Sequence, residues 1–330
     1  MIGHMARPLR IQYPNAVYHV TCRGNERRDI YQDDEDRKRF LQILIQSINI
    51  YSIKLYSYVF MSNHFHLLLE TPKANLSEFM RKFNITYTGY YNRRHDRVGH
   101  LYQGRYKSVL VDKNEYLSVL SRYIHLNPVK IKAMKKLSEP ERIKYLIRYW
   151  WSSLPGFLSQ RKKEWYIDYS MVLGEYGGDT YHGRKEYKKR IYAEIAQESD
   201  LKQNMIGGSI LGGETFIARI KDKYLDAAKD RERPAVGEIH RHRSKEEVFK
   251  AIQKETGKDI AAIKTEKGDL RRIVMELLYR AGGLKGPQIG LIFEVDYATV
   301  SQERKRLYEK VNKDRKVRAL LCRLEGILST

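Results

Sequence analysis

The chain has 330 residues, 42% of them hydrophobic and 11% aromatic, with 62 Lys plus Arg against 40 Asp plus Glu for a formal charge of +22. That length accommodates two or three domains with a substantial core, and the apolar share excludes a generally disordered polymer. The charge points to a polyanionic partner, nucleic acid ahead of a membrane surface, and it is spread along the chain, with 26 basic against 13 acidic residues in 1–155 and 36 against 27 in the remainder. No apolar run approaches a membrane-spanning length, and the start lacks the apolar core of a signal peptide. Cys22 and Cys322 make no zinc pattern. A reducing compartment is the simplest inference from them, with a single disulfide as the alternative.

In chain order, Tyr18 to Thr21 reads as a short strand and Asp34 to Tyr51 as a helix. Two strands follow at 53–60 and 64–70, joined by the short turn Met61-Ser62-Asn63. Asn75 is a candidate cap for a helix from Leu76 to about Tyr91. Gly104 to Val111 reads as extended, and Asn114 opens a helix expected to stop near Pro128. Strand, helix, two strands, helix, strand, helix predicts a compact α+β domain over 11–155. Residues 156–235 read as a small helical connector domain, with Gly207-Gly208 and Gly212-Gly213 as turns and a linker at 229–244. Residues 236–330 read as a helix-turn-helix domain: helices at 245–255, Leu270–Ala281, Pro287–Phe293 and Tyr297–Val311, the last capped by Asp296, with Val300 and Leu307 buried.

The chemistry begins with His64-Phe65-His66. In a strand the two imidazoles share one face while Phe65 packs on the other, so both converge on one cation without a helical turn. Taken alone the string also fits ordinary strand histidines. Tyr123 and Asn127, four residues apart, put a phenol and an amide on one helix face, where the amide reaches a metal or orients a phosphate as the phenol approaches. A structural tyrosine and a helix-ending asparagine explain the same letters until the histidine pair is set beside them. Arg105 and Lys107 are candidate phosphate contacts, and Gln103 either reads a base edge or stabilises its turn. Tyr87, Tyr90 and Tyr91 have spacing that serves base stacking or packing. Phenols ordinarily titrate near 10, so the nucleophile needs activation; His125 is close in sequence, which does not make it the general base.

Three segments, 61–68 (MSNHFHLL), 101–106 (LYQGRY) and 123–130 (YIHLNPVK), resemble the IS200-like tyrosine transposases, especially those associated with repetitive extragenic palindromes. The resemblance covers roughly 11–155. It implies a ferredoxin-like, His-hydrophobic-His nuclease domain acting on single-stranded DNA near hairpins, with Tyr123 as nucleophile, His64 and His66 as the metal pair and Asn127 as the supporting ligand. Asn127, where the mobile branch commonly has glutamine, favours the chromosomally resident branch. The implied reaction is phosphoryl transfer through a covalent 5′-phosphotyrosine that releases a 3′-hydroxyl and later joins strands, with Mg²⁺ or Mn²⁺ as cofactor. Residues 245–310 resemble the DNA-binding domain of bacterial replication initiators through Ile289-Gly290, Phe293 and Thr299-Val300-Ser301, although Glu294 to Tyr297 departs from that family's basic turn. Tyr297, Ser301, Gln302, Arg304 and Lys305 fall at the start of the expected recognition helix, with a plain three-helix packing module as the alternative. The expectation is therefore a cytoplasmic, nucleoid-associated enzyme, monomer or homodimer, working on single-stranded and hairpin DNA beside duplex. Its alternative is a non-cleaving DNA-binding regulator of palindromic elements.

Overall fold

The computed structural model describes residues 11–196, 205–206, 209–224, 243–266, 268–284 and 286–329. They fall in two compact units, one running to Phe216 and the other beginning at Ile217. No described helix is long and apolar enough to cross a membrane. The thiols of Cys22 and Cys322 are both free.

The first unit begins β1 (Ala16–Arg23), α1 (Asp34–Tyr51), β2 (Lys54–Met61), β3 (His64–Thr71), α2 (Leu76–Arg94), β4 (Lys107–Val111) and α3 (Lys113–Lys130). Strands β2-β3-β1-β4 lie in that order, each pair antiparallel. This is the β-α-β-β-α-β arrangement, with each helix crossing over between parallel, non-adjacent strands. The sheet's period of two separates its faces. Phe65 points toward α1 and α2, where its ring meets Phe40 at 5.1 Å and Phe83 at 5.8 Å. The alternate positions, His64 and His66, face α3.

Local chemistry starts and stops these elements. The Asp33 carboxylate accepts from Asp36 N–H at 3.0 Å and caps α1, and Ser52 in the left-handed region ends it. Asn75 occupies the cap position of α2, but its side chain donates to Tyr51 O; the cap there is Gln12 Oε1, accepting from Ser77 N–H at 2.9 Å. Helix α3 runs past Pro128, which sits in its last turn. Proline has no N–H for the Ile124 carbonyl. The Asn127 amide supplies donors instead, to Tyr123 O at 2.9 Å and Ile124 O at 3.3 Å.

The segment expected as a separate connector belongs with this unit as far as Phe216. Helices α4 (Glu139–Ile147), α5 (Leu154–Leu158), α6 (Ser170–Leu173) and α7 (Tyr181–Ala196) precede two short strands, β5 (Met205–Ile206) and β6 (Ile210–Leu211). These strands extend the sheet beyond β4, with β6 parallel to it. At the opposite edge Ser152 bridges Val59 and Ile167 bridges Leu55. His125 fixes the same segment to α3: fully buried, it bonds Tyr187 Oη and Ser153 Oγ, each at 2.8 Å, and burial pulls its pKa down to about 3. Its role is structural. The expected linker at 229–244, apart from its last two residues, and Gly207-Gly208 lie outside the described residues.

The second unit is helical: α8 (Lys245–Thr256), α9 (Ile260–Thr265), α10 (Asp269–Arg280), α11 (Gly286–Phe293), α12 (Tyr297–Val311) and α13 (Arg315–Ser329). Its core joins Ile273, Leu277 and Leu278 to Ile289, Phe293, Val300, Leu307 and Leu324. Between α11 and α12 the turn takes Glu294 to φ +54°, a conformation costly for a side chain with a Cβ. Gly290 permits the close return, since a Cβ there would meet Val295 O at 2.5 Å. Asp296 then caps α12, accepting from Thr299 N–H at 2.6 Å.

Candidate active site

The sheet register assembles the site. Thr21 of β1 lies opposite His66 of β3 on one side and Lys107 of β4 on the other, while Val59 of β2 continues the rung beyond His66. Paired residues in an antiparallel ladder share a face, so Lys107, Thr21 and His66 line one row. Two residues along β1, His19 enters the same face.

Both candidate ligand rings are anchored through Nδ1. His64 Nδ1 bonds Asn63 Oδ1 at 2.7 Å, and the Asn63 amide is itself held by donating to Arg27 O at 2.9 Å. His66 Nδ1 shares a 2.8 Å hydrogen bond with His19 Nε2, and those two rings stack with centroids 5.0 Å apart. An imidazole fixed through Nδ1 ligates a cation through Nε2, and its orientation is set by the partner. Burial, reinforced by the charge of Arg23, pulls His64 down to about 4, and burial alone pulls His19 down to about 4. Both are neutral at physiological pH, the form in which a ring nitrogen has a lone pair to give.

Tyr123, half-buried on α3, reaches this cluster from above. Its ring lies edge-on to His66 at 6.3 Å and to His19 at 6.2 Å, and the His64 and His66 rings are 5.1 Å apart. Lys130, in the last turn of the same helix, holds Nζ 5.0 Å from the Tyr123 ring centroid. That places an ammonium over the face of the phenol ring. The fold therefore brings together His64, His66 and Tyr123, and adds His19 and Lys130, which were not expected. Asn127 lies one turn beyond Tyr123 with its amide nitrogen engaged by the helix backbone, which leaves Oδ1 as the atom it could offer a cation. Among the described residues no group of three or more His, Cys, Asp or Glu is placed to hold a metal. The donors that the three candidate ligands could offer a cation are two imidazoles and an amide oxygen. That set of neutral donors suits a divalent ion that keeps water and phosphate oxygens as its other ligands.

Gln103, Arg105 and Lys107 are all exposed, and Gln103 N–H donates to Arg23 O, tying its loop to the end of β1 beside His64. Tyr87 and Tyr91 are buried, their hydroxyls donating to Ile30 O and Asp29 O. They hold the loop after β1, and burial closes their faces to bases.

In the second unit Tyr297 is 62% exposed, and Ser301, Gln302 and Lys305 also face solvent. Arg304 departs from the expected recognition set. Its guanidinium stacks 3.4 Å from the Tyr279 centroid and bonds Glu276 at 2.7 Å, so it fastens α12 to α10. An open groove of about 770 Å³ carries the basic side chains Arg272, Arg306, Lys310, Lys313, Arg315 and Lys316.

No curated protein matches the chain. A solved structure described as a REP-associated tyrosine transposase bound to a REP hairpin is 14% identical with a TM-score of 0.38, the alignment covering 50% of this chain and 93% of that one. The initiator-like resemblance over 245–310 lies outside the family match at 12–127. Residues 12–127, the stretch that holds His19, His64, His66, Tyr123 and Asn127, match the family model described as IS200-like transposase.

Proposed function

We propose that the first unit cleaves and rejoins single-stranded DNA beside a hairpin, with Tyr123 as nucleophile. The observation that carries this reading is the convergence of Tyr123 on the His64 and His66 rings, 6.3 Å from His66, inside a segment matched by the transposase family. The Tyr123 oxygen attacks phosphorus and gives up its proton, the P–O3′ bond breaks, and the departing 3′-hydroxyl takes a proton. The DNA 5′ end stays on Tyr123 as a phosphodiester, so a later 3′-hydroxyl can reverse the step without a nucleotide cofactor. His64, His66 and Asn127 Oδ1 are the residues to hold Mg²⁺ or Mn²⁺, which when bound would offset charge on a non-bridging phosphate oxygen. His19 positions His66 by accepting the Nδ1 hydrogen, Lys130 favours the phenolate, and Lys107 on the His66 rung meets the DNA backbone. The initiator-like role of the second unit, docking duplex through Tyr297, Ser301, Gln302 and Lys305, belongs to the same proposal.

Incubating the chain with 3′-labelled hairpin DNA carrying a single-stranded flank and Mg²⁺ is expected to give a labelled adduct that survives denaturing electrophoresis. EDTA abolishes it and Mn²⁺ restores it; an adduct of equal yield in EDTA rejects the metal role of His64 and His66.

His19 supplies a separate expectation. Outer partners of metal-bound imidazoles typically contribute 10- to 100-fold in affinity or activity. His19→Ala should therefore raise the Mn²⁺ concentration needed for half-saturation by about 10-fold or more, read by paramagnetic resonance of free Mn²⁺ with no DNA present. Unchanged Mn²⁺ binding would remove His19 from the site.

A further inference from the structure

All three tryptophans of the chain lie at 150, 151 and 165, and two of them stand in solvent, Trp150 63% exposed and Trp165 73%. Tryptophan is usually well covered in folded proteins, so an indole displayed this fully is informative where its backbone is held still. Trp150 is so held. Tyr149 Oη donates to Phe60 O at 2.6 Å, Phe60 N–H donates to Trp151 O at 2.8 Å, and Ser152 bridges Val59. Val59 shares its rung with His66. Stepping back from Ser152 to Trp150 moves along the edge of β2 toward Met61, the residue paired with His64. The indole thus stands at the end of the sheet where His64 stands.

Its surroundings are cationic. Lys162 Nζ lies 4.4 Å from the Trp150 ring centroid, and Arg148 and Arg161 are exposed nearby in sequence. A ring with an ammonium on it and most of its surface still in water offers a π-face together with phosphate attraction. That combination fits an unpaired nucleobase on its sugar-phosphate backbone, whereas bases stacked inside a duplex present no free face to it. An acidic peptide would use the charge and leave the indole idle.

We propose that Trp150 and Lys162 form a stacking platform for an unpaired base of the DNA strand that enters the Tyr123 site. The identity of the occupant rests on the single-strand reading given above. The platform grips the strand along the β2 edge, so its contribution is to binding and register, and bond breaking stays with Tyr123.

The test uses the full chain and dye-labelled oligothymidylate, with affinity read by anisotropy and stacking by quenching of tryptophan fluorescence. Base–aromatic stacking is worth enough that Trp150→Ala should weaken binding roughly 10-fold, with Trp150→Phe recovering most of the loss. Trp165→Ala, altering an equally exposed indole near the Leu55 end of β2, should stay within about 2-fold of the parent, since it lacks a base to stack. An abasic oligonucleotide of the same length should bind the parent and Trp150→Ala alike. Equal oligothymidylate affinity in the parent and Trp150→Ala, equal losses at Trp150 and Trp165, or no binding by the parent overturns the platform. Quenching that depends on Trp150 in a protein forming no adduct with metal would uphold the platform and reject the Tyr123 chemistry, so the two can fail separately.

Discussion

Tyr123→Phe is expected to reduce covalent adduct and strand cleavage by at least about 10⁴-fold while leaving hairpin binding nearly intact, because it deletes the attacking atom and nothing else of bulk. Phenylalanine keeps the ring that meets His66 and His19 edge-on and carries Lys130 on its face. Packing at the junction of α3 with the sheet is thereby retained, and thermal stability should change by no more than about 1 kcal/mol. The two quantities are measured on one preparation, adduct by denaturing electrophoresis and affinity by anisotropy. Cleavage of equal rate in Tyr123→Phe would mean that another nucleophile, including activated water, performs the reaction. Specific hairpin binding by a metal-loaded parent that never cleaves would instead favour a regulator built on a nuclease scaffold. Lys130→Ala makes the companion variant: it removes the charge beside the phenol, so its loss should concentrate in the rate of adduct formation at saturating DNA.

The parts of this site that were legible in the sequence are those governed by local periodicity. His64 and His66 share a face because strands alternate, and Tyr123 and Asn127 share one because helices return every three to four residues. The β-α-β-β-α-β order and the helix boundaries of 269–311 follow from the same rules and from capping residues such as Asp296. His19 was hidden because its role depends on which strand pairs with which: Thr21 opposite His66 is a fact of register across 45 residues, and no local pattern encodes it. Strands β5 and β6, two residues each, are too short to show alternation, so the segment carrying them read as helical connector. Arg304 looked like a base-reading side chain from its place near the start of α12. Glu276 and Tyr279, one helix away, take up its charge and its plane. Pro128 predicted a helix end, and the Asn127 amide offset the missing donor.

Glu70 lies on the same face of β3 as His66, four residues along the strand, and only 1% of it is exposed. Its carboxylate accepts hydrogen bonds from Tyr56 Oη at 2.7 Å, Lys113 Nζ at 2.6 Å and Lys54 Nζ at 2.9 Å. Burial pushes its pKa up, but the bonds from Lys113, Tyr56 and Lys54 outweigh burial and hold it below the ordinary carboxylate value. A folded-state value below the unfolded one contributes stability that is present above the unfolded pKa and is lost as pH falls through the folded one. Glu70→Ala should destabilise the first unit by about 2–3 kcal/mol at pH 7, toward the low end for a broken buried pair because both lysines are partly in water. The gap between the parent and Glu70→Gln should narrow as pH drops below about 4.5, where Glu70 of the unfolded parent begins to protonate while the folded form still holds its charge. Tryptophan fluorescence during urea unfolding reads this unit alone, since all three indoles belong to it. A gap that stays constant from pH 7 to pH 3 would show that packing, and not charge, is what Glu70 contributes. The consequence reaches the chemistry, because Lys113 is the first residue of the helix that carries Tyr123 ten residues on. Loosening that end lets α3 shift over the histidines, and misplacement of reacting groups by about 1 Å can cost on the order of 10²-fold. Glu70→Gln, still folded at neutral pH, should therefore form adduct more slowly than the parent, and a rate equal to the parent's would show that the α3 N-terminus is held by other contacts.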